Sequence, residues 1–299
     1  MNKDILNQVN TLIDEDGLYD THLESVKIFK TSTHVSKTPL LYDMWIILVL
    51  QNKKIVSLEH TVFEYDAQNY FFSSSTLPFN CETFASKEEP FITLIISIDK
   101  KSMYQILNKI PKNELNIKKQ NNLGVFSDEV SSEIEDITLR LLKVLQSKTD
   151  SDMLGESLIN ELYYRIARGK NSHFLHQMFM KSTAESKISR TLKKIHDTYV
   201  EHLDVEHLAR EEDMSRSSFH THFKNITSHT PIQYIKKLRL GKAKDLIALD
   251  NYQVNQCAYA VGYESVSQFS RDFKKYFGYS PKEAKPSFEV HELVENIYE

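Results

Sequence analysis

The chain has few cysteines and none of the segments that direct a protein to or through a membrane. Its 299 residues include two cysteines, Cys81 and Cys257, which suits a reducing compartment better than a disulfide-stabilised fold. It has no run of 18 apolar residues, and its N-terminus lacks the basic-then-apolar order of a signal peptide. We therefore expect a cytoplasmic protein, with no membrane association, in which both cysteines are packed thiols.

Signatures of common enzyme classes are also absent. We find no Walker loop, no dinucleotide-binding fingerprint and no nucleophile elbow. Cupin enzymes hold a metal with closely spaced histidines and a carboxylate, whereas His22, His34 and His60 are scattered singly. We predict a protein that is not an enzyme, with no catalytic residues, no bound metal and no cofactor.

Charge is distributed unevenly along a chain that is long enough for two domains. Lys and Arg number 20 against 24 Asp and Glu in residues 1–182, 17 against 13 in 183–288, and none against 4 from Glu289 onward. Only the middle segment is positive, as an electrostatic footprint on phosphate requires.

That positive segment contains an internal repeat with a constant offset of 50 residues. The matching pairs are Ser215/Ser265, Ser217/Ser267, Phe219/Phe269, Phe223/Phe273, Lys224/Lys274 and Pro231/Pro281. In each copy the first Ser stands at a helix N-cap position, and the two Phe residues at i and i+4 share one helix face. A short helix pattern and a turn of three to four residues precede it. Each copy, at about 205–227 and 254–277, therefore predicts a helix-turn-helix unit.

The outer faces of the two second helices are the predicted DNA-contacting surfaces. Short polar side chains, amides and cations can reach base edges and phosphates in a major groove. The predicted residues are Arg216, Ser217, Ser218, His220, Thr221, His222, Lys224, Ser265, Val266, Ser267, Gln268, Ser270, Arg271, Lys274 and Lys275. The alternative is a tandem helical hairpin that only packs.

A helix is predicted between the copies, from Thr230-Pro231 to about Leu249. About 18 residues span about 27 Å, which can hold two recognition helices in major-groove faces about 34 Å apart. We assign four cations of this helix to DNA phosphates. They are Lys236, Lys237, Arg239 and Lys244. Gly241 interrupts the helix and is expected to make it slightly pliable.

The first half of the chain has the pattern of β-strands. Short β-branched and aromatic runs at 44–50, 54–58, 61–65, 69–73 and 91–98 predict a small sandwich or barrel. Trp45, Tyr70, Phe72 and Cys81 are candidates to line an interior pocket for a small molecule. The alternative is that these side chains simply fill the core.

Helical sequence follows these strands. Its apolar residues are spaced 4-3-4-3, which is typical of helix pairing. They are Val130, Ile134, Ile137, Leu141 and Val144. This seam predicts a dimer interface, against the alternative of helices that pack on the outside of the barrel.

The segment 258–281, AYAVGYESVSQFSRDFKKYFGYSP, resembles the C-terminal signature of the AraC/XylS family of bacterial transcription regulators. MSRSSFHTHFK at 214–224, followed by PIQYIKKLR at 231–239, is similar to the family's first unit, although Ser228 stands where that unit usually has Gly. This likeness covers about residues 187–287. Residues from about Gly17 to Ile106 are similar to the family's cupin-like N-terminal domain.

The resemblance implies an α+β protein with two domains. A cupin-like β-barrel with flanking helices would occupy 1–181, and an all-α domain with two helix-turn-helix units joined by a linker helix would occupy 189–287. From its polar composition we predict a linker at 182–188, and residues 288–299 form an acidic tail. It also implies four partners: double-stranded DNA, RNA polymerase, a small-molecule effector, and a second copy of the chain in a homodimer.

We therefore predict a sequence-specific DNA-binding transcription regulator, an activator by resemblance. One alternative is a cupin-type metalloenzyme fused to a DNA-binding module. Another is a regulator with a barrel that binds no ligand and serves only for assembly.

Overall fold

The computed structural model describes residues 3–111, 123–180, 183–248 and 252–284. The strands are β1 (Gly17–Asp20), β2 (Val26–Thr31), β3 (Val35–Tyr42), β4 (Trp45–Gln51), β5 (Lys53–Leu58), β6 (Thr61–Asp66), β7 (Asn69–Ser73), β8 (Leu77–Phe84), β9 (Phe91–Ser97) and β10 (Val125–Glu129). The helices are α1 (Lys3–Val9), α2 (Lys100–Lys109), α3 (Ser132–Val144), α4 (Lys148–Ala167), α5 (Ser172–Phe179), α6 (Ala184–Thr198), α7 (Val205–Glu211), α8 (Arg216–Thr227), α9 (Pro231–Ala248), α10 (Val254–Ala260) and α11 (Val266–Phe277). The α+β class is confirmed.

The strands form two antiparallel sheets. One sheet has six strands in the order β1-β2-β9-β4-β7-β10, and the other has four in the order β3-β8-β5-β6. The five strands predicted from the sequence correspond to β4, β5, β6, β7 and β9. No ladder joins the two sheets in the described part of the chain, so the predicted cupin-like barrel is not closed and has the form of a sandwich.

The six-stranded sheet is buried on both faces because its strands alternate between two apolar clusters. Trp45, Ile47 and Val49 of β4 point between the sheets, while Ile46 and Leu48 point to the helices that cover the other face. Continuous burial along β4 follows from this double coverage.

The same alternation contradicts the predicted ligand pocket. Trp45 and Cys81 lie between the sheets, whereas Tyr70 and Phe72 lie on the opposite face of the six-stranded sheet, beneath the helices. All four side chains are buried. The prediction that they line one pocket is therefore wrong, since a strand with period-two alternation cannot turn Tyr70 and Phe72 toward the space that Phe71 occupies.

The predicted dimer seam is also part of the core. Ile134, Ile137, Leu141 and Val144 of α3 are buried within this chain, and Val130 packs against the same cluster. An amphipathic helix lying on a sheet gives the same 4-3 spacing as a helix pair. The seam is therefore corrected to an intramolecular contact, as its alternative proposed.

The C-terminal half contains the predicted helices. Helices α7 and α8 form the first predicted unit, and α10 and α11 form the second. The linker helix α9 has 18 residues, as predicted. The predicted linker at 182–188 is corrected, because α6 begins at Ala184, with the Thr183 side chain as its N-cap. The proposed tail at 288–299 lies outside the described residues.

Helix α9 packs directly on the four-stranded sheet. It contacts β3 and β8, and the Tyr234 hydroxyl donates a 2.7 Å hydrogen bond to the Thr76 carbonyl. A Cβ atom at Gly241 would lie 2.6 Å from Cδ1 of Leu41 in β3. Gly241 thus permits close approach of helix and sheet, which replaces the expected pliability as its structural role.

We predict that the effect of Gly241→Ala on stability changes sign with the residue at position 41. In the full chain the clash with Leu41 should lower the free energy of unfolding by about 1 kcal/mol, because overpacking costs more than the gain in helix propensity. In a Leu41→Ala background, Gly241→Ala should instead raise it by about 1 kcal/mol. Urea unfolding of the four variants measures this cycle, and equal effects in both backgrounds would contradict the contact.

Candidate DNA-binding surface

Helix α8 begins at an N-cap formed by its own sequence. The Ser215 side chain accepts a hydrogen bond from the Ser218 backbone N–H, as a serine N-cap should. Phe219 and Phe223 are fully buried on the inner face, and their rings lie 5.6 Å apart between centroids. Because both anchors lie on one face, the opposite face of α8 is directed outward.

Helix α11 repeats this arrangement. The Ser265 side chain accepts from the Gln268 backbone N–H, and the buried Phe269 and Phe273 rings are again 5.6 Å apart. The equal anchor spacing explains why the two copies present equivalent outer faces.

None of the fifteen predicted DNA-contacting residues is buried. The exposed ones are Arg216, Ser217, Thr221, Lys224, Ser265, Ser267, Gln268, Arg271, Lys274 and Lys275. The partly exposed ones are Ser218, His220, His222, Val266 and Ser270. The structure thus places all of them on the outer surfaces of α8 and α11, and their contact with DNA stays a prediction.

Contacts within the chain hold the Gln268 side chain in place. Its amide nitrogen donates to the Asp272 carboxylate at 3.0 Å, and its oxygen accepts from the Arg271 guanidinium at 2.9 Å. Burial raises the pKa of Asp272, but hydrogen bonds from Lys236 and Gln268 outweigh burial and the pKa is lowered. The sequence did not single out Asp272, although its position four residues after Gln268 on a helix is a recognisable signal.

Arg216 has an internal partner at the start of the first recognition helix. Its guanidinium lies 2.7 Å from the Glu206 carboxylate of α7, and both side chains are more than half exposed. An exposed pair of this kind contributes little to stability, so the guanidinium can exchange its partner for a phosphate or a base at small cost.

The four cations assigned to phosphates all have partners within the protein. Lys236 pairs with Asp272 at 2.7 Å, and Arg239 donates to the carbonyls of Tyr199, Glu201 and Gly262. Lys244 is 3% exposed. In this conformation these side chains stabilise the packing of α9, and their role at phosphates stays a prediction.

Lys237 is the fourth of these cations and belongs to a cluster that joins the two halves of the chain. Its ammonium lies 3.1 Å from the Glu59 carboxylate and 3.2 Å from His229 Nε2, while His229 Nδ1 lies 2.9 Å from Glu59. Burial and the Lys237 charge lower the pKa of His229 to about 4. At neutral pH the imidazole is therefore uncharged, so Nδ1–H donates to Glu59 and Nε2 accepts from Lys237.

The described residues contain no group of three or more His, Cys, Asp or Glu side chains arranged to hold a metal ion. His34 lies 3.6 Å from Glu82 with both side chains partly exposed, and His60 is exposed at a turn. The metalloenzyme alternative thus has no ligand set in this part of the chain. In the same residues, no helix is both long enough and apolar enough to span a bilayer.

Both cysteines are free and buried, as expected. Burial raises the pKa of the Cys257 thiol to about 12, which keeps it protonated and unreactive at neutral pH.

The two recognition helices end in the same cap conformation but with different residues. Ser228 closes α8 with φ of 59°, and Gly278 closes α11 with φ of 87°. Both are left-handed caps, a conformation that Gly adopts freely and that costs a serine roughly 1–2 kcal/mol. The departure from the family pattern at Ser228 therefore carries backbone strain.

Comparison with known proteins places both halves of the chain in the context of transcription. A family model described as the AraC-type transcriptional regulator N-terminus matches residues 22–174, and one described as a helix-turn-helix domain matches residues 208–286.

Curated relatives match about a third of the chain. The HTH-type transcriptional regulator AlkR of Acinetobacter baylyi is 39% identical over 95 residues, which are 32% of this chain and 31% of AlkR. The HTH-type transcriptional activator RhaS of Salmonella arizonae is 28% identical over 101 residues, which are 34% of this chain and 36% of RhaS. This chain thus spans about a third of the length of each relative.

Among solved structures, wild-type ToxT from Vibrio cholerae with an unsaturated fatty acid bound has a similar fold. The TM-score is 0.58 at 13% identity, and the match covers 90% of this chain and 95% of ToxT. At this identity the likeness shows the fold alone.

We predict opposite stability effects for reciprocal changes at the two helix caps. Ser228→Gly should raise the free energy of unfolding by roughly 1 kcal/mol because it relieves the left-handed backbone of a non-glycine residue. Gly278→Ser, the matched control at the equivalent position, should lower it by a similar amount. Chemical denaturation of the intact protein measures both, and two changes of the same sign would disagree with the cap geometry.

We also predict that exposed and paired lysines differ in their effect on the salt dependence of DNA binding. Lys275 is exposed in the last turn of α11, so Lys275→Ala should flatten the slope of log affinity against log salt by about 0.9. Lys237→Ala should leave the slope unchanged, because Glu59 already holds its ammonium. An equal loss of slope in both variants would show that α9 leaves the sheet on DNA and that its phosphate assignment is right.

Proposed function

Because the chain belongs to the family of AraC-type transcriptional regulators, we propose that it is a sequence-specific DNA-binding transcription regulator. The observation that carries this proposal is the pair of recognition helices α8 and α11, which share caps, aromatic anchors and outward polar faces at an offset of 50 residues. Two such faces joined by one helix suit two successive major grooves on one side of a duplex.

The outer face of each recognition helix contains groups suited to different parts of the duplex. Gln268 and Arg271 carry amide and guanidinium groups that can form bidentate hydrogen bonds to adenine and guanine edges. Lys274 and Lys275 lie at the last turn of α11, where their charges can reach the backbone phosphates. Since Asp272 and Arg271 already orient the Gln268 amide, little side-chain entropy remains to be lost on binding a base.

Gating by a small molecule at the N-terminal sandwich is the second part of the proposal. It is supported by the fatty acid bound in the structurally similar ToxT and by the direct packing of α9 on the sheet. A ligand that alters this sheet would act on the helix that connects both recognition helices.

Activation, assembly and location complete the proposed function. RhaS is an activator, which supports the same sign of regulation here and contact with RNA polymerase.

A homodimer would use a surface other than the buried face of α3. Helix α4 exposes Met153 and Leu154, at 75% and 51%, as an apolar candidate. The protein would act in the cytoplasm, where bacterial DNA lies.

We predict that single substitutions in the two recognition helices change base preference one helical turn apart. Gln268→Ala and Ser218→Ala lie at equivalent positions of the repeat, so each should relax preference at one base pair, and the two base pairs should be about 10 bp apart. Loss of a bidentate contact at Gln268 should cost about 1–3 kcal/mol of discrimination.

Selection of binding sites from random DNA with the full-length variants measures these preferences. Gln105→Ala, an exposed amide on α2 of the sandwich, is the matched control and should select the same sites as the wild type. Unchanged preference in both recognition-helix variants would contradict the proposed reading of DNA by α8 and α11.

A further inference from the structure

Asp272 of α11 is largely buried and contacts three polar side chains. Its carboxylate lies 2.7 Å from the Lys236 ammonium of α9, and it accepts hydrogen bonds from the Gln268 amide at 3.0 Å and the Tyr263 hydroxyl at 3.5 Å. Asp272 is only 9% exposed, whereas Gln268 and Arg271 on the same helix are exposed. Asp272 therefore lies beneath the surface that α11 presents to a major groove, in contact with a residue of that surface.

The Asp272 carboxylate is ionised at neutral pH. Burial raises its pKa, but hydrogen bonds from Lys236 and Gln268 outweigh burial and hold the pKa below its ordinary value. An ionised carboxylate can only accept hydrogen bonds. The part of the Gln268 amide that faces Asp272 must therefore be the NH2 group and not the carbonyl oxygen.

A second contact fixes the same amide independently. The Arg271 guanidinium donates to Gln268 Oε1 at 2.9 Å, and a guanidinium can only donate. The two ends of an amide have nearly the same shape, so only its hydrogen-bond partners set its direction. Since Asp272 requires the nitrogen and Arg271 requires the oxygen, a flipped amide would lose both hydrogen bonds.

The direction of this amide matters for the recognition of a base. After these two contacts Gln268 still has one N–H and one oxygen lone pair, which are the groups that a bidentate contact with adenine uses. Adenine presents its N7 acceptor and its N6 amino donor in a fixed order in the major groove. A reversed amide would place donor against donor and acceptor against acceptor.

The first recognition helix has different residues at the three equivalent positions. Fifty residues earlier in the chain these are Ser218, Thr221 and His222. The hydroxyl of Ser218 rotates and can either donate or accept, so it imposes no order of donor and acceptor on a base. A side-chain amide of fixed direction is therefore a property of the second unit.

We propose that Asp272 is a positioning residue that sets the base preference of α11 without touching DNA. It holds the Gln268 amide in one direction, so that α11 favours adenine in one orientation of the A·T pair. Lys236 keeps the carboxylate in place through its ion pair. This inference rests on the proposed DNA-binding function and assigns a base to α11. The half of the DNA site that α11 reads should accordingly show a sharper preference than the half that α8 reads.

Selection of binding sites with the full-length Asp272→Asn variant tests the proposal. Asparagine keeps the shape of aspartate but can face the Gln268 amide with either a donor or an acceptor, so both directions of that amide become possible. The wild type should select adenine at the base pair whose preference is lost in Gln268→Ala. The ratio of affinities for duplexes with A·T and T·A at this pair should fall about tenfold in Asp272→Asn.

An ion-paired aspartate elsewhere in the same half of the chain is the matched control. Asp197 of α6 lies 3.2 Å from Lys193, and both side chains are partly exposed. Asp197→Asn also removes a paired charge, and it should leave the ratio of affinities as it is in the wild type. Preferences at the base pairs read by α8 should be unchanged in both aspartate variants.

Combination with Gln268→Ala separates positioning from a structural role. If Asp272 acts through Gln268, then Asp272→Asn should cause no further change at this base pair in the Gln268→Ala background. A ratio of affinities measured within one variant does not depend on the fraction of protein that is folded. A loss of stability alone would therefore leave the ratio unchanged.

The positioning role and the DNA-binding function can fail separately. A wild-type ratio in Asp272→Asn, with the preference lost in Gln268→Ala, would overturn the positioning role and leave the function standing. A further loss in the double variant, or selection of a base other than adenine by the wild type, would also overturn the inference. If Gln268→Ala keeps every preference of the wild type, the reading of DNA by Gln268 fails and the inference fails with it.

Discussion

One apolar cluster runs through both halves of the molecule, and the position of the first recognition helix depends on it. It includes Trp45 and Phe79 from between the sheets as well as Phe219 and Phe223 of α8. Tyr234 of α9 connects the two groups, because its ring packs on Phe223 and its hydroxyl donates to the Thr76 carbonyl, one residue before β8. Close packing is therefore continuous from the space between the sheets to α8.

Several charged side chains of the C-terminal half form ion pairs and hydrogen bonds within the protein. Asp272 pairs with Lys236 and accepts a hydrogen bond from Gln268. Glu59, in the N-terminal half, contacts both Lys237 and His229 of the C-terminal half. In this conformation Lys236 and Lys237 are therefore held by carboxylates of the protein itself, and a phosphate contact by either lysine requires that its ion pair open first. A count of lysines and arginines alone therefore overstates the field that the protein presents in this conformation, because paired cations and anions cancel at a distance.

The sequence predicted best those features that depend on neighbours along the chain. Helix caps and the i, i+4 phenylalanines are local, and both recognition helices appear where the repeat places them. The sequence predicted less well the features that depend on contacts between residues far apart along the chain. Alternation along β7 shows that Tyr70 and Phe72 share a face, but not which face looks between the sheets. Likewise, the spacing from Ile134 to Val144 fits either a partner helix or a sheet. The close approach at Gly241 requires knowledge of Leu41, two hundred residues earlier.

A short chain of hydrogen bonds ties β10 and α8 together in a way that affects local opening. The Gly124 N–H donates to the Ile226 carbonyl at 3.0 Å, and the Ser74 N–H and hydroxyl both donate to the Gly124 carbonyl. Fraying of the last turn of α8 therefore also removes support from the loop between β7 and β8. We therefore expect amide exchange at the end of α8 to be coupled to exchange in the loop between β7 and β8.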